Sequence, residues 1–181
     1  MSKIFIALTP NSEFNKVICG LKELQKRYTI RNHKVFWSKD NQHHITLNFI
    51  GSMEPEQREE LFNNLENRPP FKNLVIEIVS LSYFPNESGQ VLVANITPTP
   101  RLQKLFDDME KLVARIGFGM VLKTMRPHIT LARFKDKNRP FSKIIELEEP
   151  VNSLIETLDV YESSFKLGNT SHRLIKTYNL E

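Results

Sequence analysis

The sequence predicts an α+β fold built as two similar halves that face one another. Two observations carry this. Segments of strand period alternate with segments of helix period along the 181 residues. One tetrapeptide, His44-Ile45-Thr46-Leu47, recurs 84 residues later (128 − 44) as His128-Ile129-Thr130-Leu131. Each copy falls on an expected strand and follows a strand–helix segment. Beyond the motif and its position, the halves share no convincing similarity. A chain of this size makes one ordinary domain, expected to span 1–181.

Residues 3–8, Lys-Ile-Phe-Ile-Ala-Leu, read as a short buried strand. Asn11 or Ser12 then caps a helix on which Phe14, Val17, Ile18, Leu21 and Leu24 recur at helical spacing. Residues 43–50 alternate as a strand, and Gly51 ends it. Pro55 suits the first turn of a helix running to about Asn67, where Arg68-Pro69-Pro70 stops it. Residues 72–84 and 90–96 are β-rich and flank Pro85-Asn86-Glu87-Ser88-Gly89, a hairpin loop. The clearest helix is 101–116, with Leu102, Leu105, Phe106, Met109, Leu112, Val113 and Ile116 on one face. Gly117 and Gly119 break it. Residues 127–134 form the strand of the second motif. The tail, 151–180, reads as two further strands joined near Gly168-Asn169.

Composition removes several classes of protein. Twelve Phe and a hydrophobic share of 40% argue against a disordered tail. No apolar run reaches the ~18 residues of a membrane span. The first ten residues are too few and too quickly polar for a secretory signal, so the expected location is the cytoplasm. A lone cysteine, Cys19, excludes an intramolecular disulfide and a multi-cysteine zinc site. It sits among apolar residues of helical period and is expected as a buried core thiol rather than a nucleophile. The net charge of +4 suits a phosphate-bearing partner without demonstrating one.

The repeated motif carries the chemistry. Side chains alternate along a strand, so His44 and Thr46 share one face while Ile45, Leu47 and Phe49 share the other. The same division sets His128 and Thr130 against Ile129 and Leu131. The apolar residues make the core, and the His and Thr residues face a groove. Two such strands lining one cleft bring together two imidazoles and two hydroxyls. That set suits a phosphodiester. Histidine titrates near neutral pH, so one ring can accept a proton while the other donates one, each act worth about 10²–10⁴-fold. The hydroxyls can donate to non-bridging phosphate oxygens. No metal or other cofactor is required.

With these residues assembled, the sequence resembles the 2H phosphoesterases, and among them the RNA 2′,3′-cyclic phosphodiesterases long called 2′-5′ RNA ligases. The matching stretches are Phe5-Ile6-Ala7-Leu8-Thr9-Pro10, His44-Ile45-Thr46-Leu47-Asn48-Phe49-Ile50-Gly51 and Arg126-Pro127-His128-Ile129-Thr130-Leu131-Ala132-Arg133. Phe84-Pro85, Gly117-Phe118 and Leu158-Asp159-Val160-Tyr161-Glu162-Ser163 match more weakly. The resemblance implies a bilobal α+β fold, with two antiparallel sheets flanking a central cleft and helices outside. It implies opening of a 2′,3′-cyclic phosphate at an RNA end, tRNA fragments or a cyclic nucleotide included, to leave a 2′-phosphate. The reverse, ATP-independent 2′-5′ ligation, is implied as a related reaction. By carry-over, His44 and His128 are the acid–base pair, and Thr46 and Thr130 hold the phosphate. The expected division has His44 protonating the departing 3′ oxygen and His128 activating water. No membrane is implied, and the chain is expected to suffice as a monomer.

Arg133 matches a phosphate-contacting arginine of the family, yet an uninterrupted strand would turn it to the Leu131 face. Either the strand twists or ends near Ala132, or Arg126, which has the favourable parity, plays the part. His43 points away from His44 by parity and is expected buried or in a structural hydrogen bond. His33 and His172 belong to no repeated motif and are expected on the surface. Trp37, Tyr83 and Phe84 can stack a base, with core packing the commoner fate. Lys123 and Lys135 flank the second motif and can steer RNA, with solvated surface charge the ordinary alternative. Two other functions remain open: a non-catalytic RNA-end or nucleotide-binding module, and a relative acting on another cyclic or 2′-5′ nucleotide.

Overall fold

The computed structural model describes residues 3–69, 71–119, 124–135, 138–166 and 169–181. In chain order its elements are β1 (Lys3–Leu8), α1 (Ser12–Lys26), β2 (Val35–Trp37), β3 (Ile45–Gly51), α2 (Pro55–Glu66), β4 (Leu74–Phe84), β5 (Val91–Ile96), α3 (Pro100–Arg115), β6 (His128–Phe134), β7 (Val151–Ile155), β8 (Thr157–Lys166) and β9 (Asn169–Asn179).

Every strand pairing is antiparallel. The order is β7-β4-β5-β6-β3-β1-β8-β9, with β2 also beside β6. A lobe of four strands and a lobe of five meet where β3 touches β6 at one pair, Ile45 with Ile129. Where two sheets were expected, the strands among the described residues form one continuous nine-stranded sheet, and that pair is the seam between its lobes. The ladder ends at β7 and β9 rather than closing on itself. The lobes in space are not the halves in sequence. β8 and β9 complete the lobe of β1 and β3, while β2, β4, β5 and β7 complete that of β6. The chain crosses between lobes at Glu156. The tail therefore holds three strands where two were expected, since residues before Glu156 pair with β4 and those after it pair with β1. Of the expected Gly168-Asn169 junction, Gly168 lies outside the described residues.

Local chemistry explains the helices. Asn11 caps α1, its side chain accepting from the Phe14 amide at 2.9 Å. The buried stripe runs through Phe14, Ile18, Leu21, Lys22 and Gln25. Val17 and Leu24, expected on that face, are 39% and 44% exposed. Polar residues take their place because each finds partners. Gln25 donates to the Lys143 carbonyl and accepts from the Ile145 amide, and Lys22 binds the Ser38 carbonyl and Asp40. Cys19 is half-buried rather than in the core. Burial and the adjacent Asp40 raise its pKa, which keeps the thiol protonated.

Glu54 and Gln57 close a capping box on α2, with Pro55 at its first turn. Thr99 caps α3 through the Leu102 amide, and Leu102, Leu105, Phe106, Met109, Leu112 and Val113 bury its apolar face. Gly117, at φ +92°, takes the left-handed turn that ends the helix. These faces, with Ile4, Ile6, Leu8, Ile45, Leu47, Ile129 and Leu131 from the sheet, form the core. Hence α1 and α3 cover one side of the sheet, and among the described residues no helix covers the opposite side at the seam. Among the described residues, no helix is long and apolar enough to cross a membrane.

Candidate active site

The register at the seam builds the site. Ile45 and Ile129 are fully buried and point into the core. Alternation then turns His44, Thr46, His128 and Thr130 to the other face. The antiparallel register set by the Ile45–Ile129 pair places His44 alongside Thr130, and Thr46 alongside His128. The two His-x-Thr motifs are thus brought together as a diagonal square about a local two-fold axis.

Each imidazole is fixed in the same way. His44 Nδ1 lies 2.7 Å from the Gln42 carbonyl oxygen, and His128 Nδ1 lies 2.8 Å from that of Arg126. A carbonyl only accepts, so Nδ1 carries the hydrogen in both rings. Nε2, across the ring, is left as the group that can take or give a proton. Burial is the main cause that pushes both pKa values down, to about 4 for His44. The charge of Arg133 adds to the push on each ring.

A bulge resolves the placement of Arg133. Leu92 pairs with Ala132 but Val93 pairs with Thr130, so Leu131 is an extra residue in β6. Leu131 and Ala132 both point to the core, and Arg133 returns to the face of His128 and Thr130. Simple parity misplaces Arg133 because it holds only for a regular strand. The first motif carries the same device. Ile6 pairs with Asn48 and Ala7 with Thr46, so Leu47 is the extra residue, and Phe49 emerges 58% exposed on the cleft side instead of sharing the face of Ile45 and Leu47. Phe49 and Arg133 therefore occupy equivalent positions in the two lobes.

Arg126 is also near the second histidine. Its Nη2 donates to the Pro85 carbonyl at 2.7 Å, and its guanidinium lies 4.9 Å from the Phe84 ring centre. Phe84 packs on His128, with ring centres 4.2 Å apart. Gly89 permits this hairpin, because a Cβ there would meet the Phe84 carbonyl oxygen at 1.9 Å.

His172 was missed. It is not a surface residue but part of the cleft wall in the first lobe, 5.3 Å from the His44 ring centre and 5.0 Å from that of Phe5. Tyr161 stacks on the other flank of Phe5 at 5.2 Å and donates to or accepts from Thr9. Burial lowers the His172 pKa, with Arg133 contributing. The pairing of β8 with β1 on one side and β9 on the other brings it there; the tail strands are legible, but no local motif signals their place beside β1.

The remaining candidates divide. His43 is 3% exposed and bonds Asn15 at 2.7 Å, as expected. His33 lies half-buried just before β2. Tyr83 packs in the core against Phe134 and Phe141, and Trp37 packs on Phe141 under Lys26. Lys123 lies outside the described residues. A cavity of about 930 Å³ opens between α2 and α3 and holds none of the motif residues.

Residues 16–93 match the family described as LigT like Phosphoesterase. An RNA 2′,3′-cyclic phosphodiesterase of Thermotoga maritima is 25% identical over 166 residues, covering 90% of this chain and 87% of that protein. One of Aeropyrum pernix is 30% identical over 99 residues, covering 54% of this chain and 56% of that protein. Among solved structures, E. coli LigT complexed with 3′-AMP superposes with a TM-score of 0.75 at 19% identity, over 99% of this chain and 98% of that one. A Thermus thermophilus protein reaches a TM-score of 0.81 at 19% identity, over 98% and 97%. The fold is that of the LigT structures, and the resemblance to the 2H phosphoesterases read from the motifs is borne out.

Proposed function

We propose that this chain, a phosphodiesterase by its LigT-like family match, opens the 2′,3′-cyclic phosphate at an RNA end to a 2′-phosphate, using His44 and His128 as one acid–base pair. The observation that carries the reading is the square of two histidines and two threonines, both rings holding the Nδ1–H tautomer. The names of the Thermotoga and Aeropyrum relatives supply the substrate class.

In this scheme a water oxygen attacks phosphorus and loses its proton to one Nε2. The bond from phosphorus to O3′ breaks, and O3′ takes a proton from the other Nε2. Thr46 and Thr130 donate to the non-bridging oxygens, and Arg133 sets a fixed positive charge against the charge that builds on them. Ligation is the same path with a 5′-hydroxyl attacking in place of water. Burial leaves both rings neutral at pH 7, and His44 is held down to about 4. That works against His44 as the ring that carries the proton into the reaction. A phosphate anion between the rings opposes this push and stabilises one imidazolium. The two titrate as a coupled pair, so acid and base are assigned to the pair jointly.

Product analysis tests the reading. An RNA ending in a 2′,3′-cyclic phosphate should yield a 2′-phosphate and a free 3′-hydroxyl. A 3′-phosphate product would refute the proposed leaving group. RNA bound without turnover would point to a binding module.

A further inference from the structure

Beside the catalytic square, β2 puts an exposed aromatic ring between two lysines on the cleft face. Phe36 of β2 pairs in register with Arg133 of β6. Paired residues of antiparallel strands point to the same face, with Cβ atoms about 4.5–5.5 Å apart. Phe36 therefore adjoins Arg133 on the side of the sheet that carries His128 and Thr130. It is 37% exposed, where its neighbours Val35 and Trp37 pack against the core. Lys34 Nζ lies 5.2 Å from the Phe36 ring centre and Lys135 Nζ lies 5.9 Å from it. Both lysines are exposed. From the site outward the strip reads His128 and Thr130, then Arg133, then Phe36 with a cation on either side.

This is the composition of a platform for a single nucleic-acid strand: a flat apolar ring for a base and flanking cations for phosphates. We propose that Phe36, Lys34 and Lys135 bind the RNA strand leading into the cleft, Phe36 stacking a base upstream of the reacting end and the lysines neutralising backbone phosphates. The chain would then be built for polynucleotide ends rather than free cyclic nucleotides. The identity of the reacting end rests on the phosphodiesterase reading; the strand contact does not.

Two measurements on the full chain test this. The first is binding of a fluorescent ten-nucleotide single-stranded RNA, in EDTA, to wild type, Phe36→Ala, Phe36→Tyr and Lys34→Gln/Lys135→Gln. The second is turnover of a 2′,3′-cyclic mononucleotide by the same proteins. Phe36→Ala should weaken RNA binding about tenfold, Phe36→Tyr should retain it, and mononucleotide turnover should stay at the wild-type level. The double lysine variant should lower the slope of log affinity against log salt by about 1.4, for two lost phosphate contacts on a single strand. If wild type binds RNA through Phe36 but opens a 2′,3′-cyclic phosphate neither on the mononucleotide nor at an RNA end, the strand site stands and the phosphodiesterase reading falls. If Phe36→Ala binds RNA as wild type does, or wild type shows no measurable RNA binding, the strand site is wrong whatever the turnover.

Discussion

His44 and His128 each give one ring nitrogen to a backbone carbonyl, and in the proposed reaction the other serves the substrate. Replacing either by alanine should abolish turnover and leave the melting temperature little changed, because neither side chain belongs to the core. Thr46→Ala, Thr130→Ala and Arg133→Ala should each cost about 2–4 kcal/mol of transition-state stabilisation, read as kcat/KM. His43 sets a separate, structural pH dependence. Burial, and then the Lys22 charge, push its pKa to about 4, below its ordinary value of 6.5. Between those values the unfolded chain binds more protons than the folded one. Stability is therefore full above about pH 6.5 and falls as the pH drops toward 4, by at most about 1.4 kcal/mol per pH unit for this ring. Thermal melts of wild type and His43→Phe across that range check it. The variant should lose less stability on acidification, and equal losses would refute the assignment.

At the element scale, two bulges decide what reaches the cleft. Without the extra residues Leu47 and Leu131, Phe49 and Arg133 would turn to the core. The alternation of His, Ile, Thr and Leu was legible, and so were the helices, because caps and apolar periods are local signals. The bulges were not legible, since an extra residue is defined only against the partner strand. β2 was missed for a related reason: three residues, Val35–Trp37, are too few to show a period, and pairing with β6 holds them extended. The caps give a direct test. Asn11→Ala and Thr99→Ala should each cost about 1 kcal/mol in denaturant melts, with activity per folded molecule unchanged.

For the whole molecule, the seam between lobes is also the candidate site. The two motif strands lie 84 residues apart in sequence and touch at one pair, Ile45 with Ile129. The motif repeat made this meeting legible. The route of the tail was not, because Glu156 carries the chain from one lobe to the other and no composition change marks it. As a result β8 and β9 complete the lobe of the first motif, and Leu158, Val160 and Leu180 join its core. A chain ending at residue 150 should fail to fold cooperatively, losing its sharp melt together with its activity. A sharp wild-type melt from that chain would refute the two-lobe arrangement.

Two paired histidines, with neither a metal nor a nucleotide cofactor, should suffice to open a cyclic phosphate. The direct measurement is hydrolysis of a short RNA ending in a 2′,3′-cyclic phosphate, with EDTA present and ATP absent, by wild type, His44→Ala and His128→Ala. Wild type should turn the RNA over, and neither variant should rise above background. Turnover that EDTA abolishes, or that survives loss of either histidine, would overturn the two-histidine mechanism.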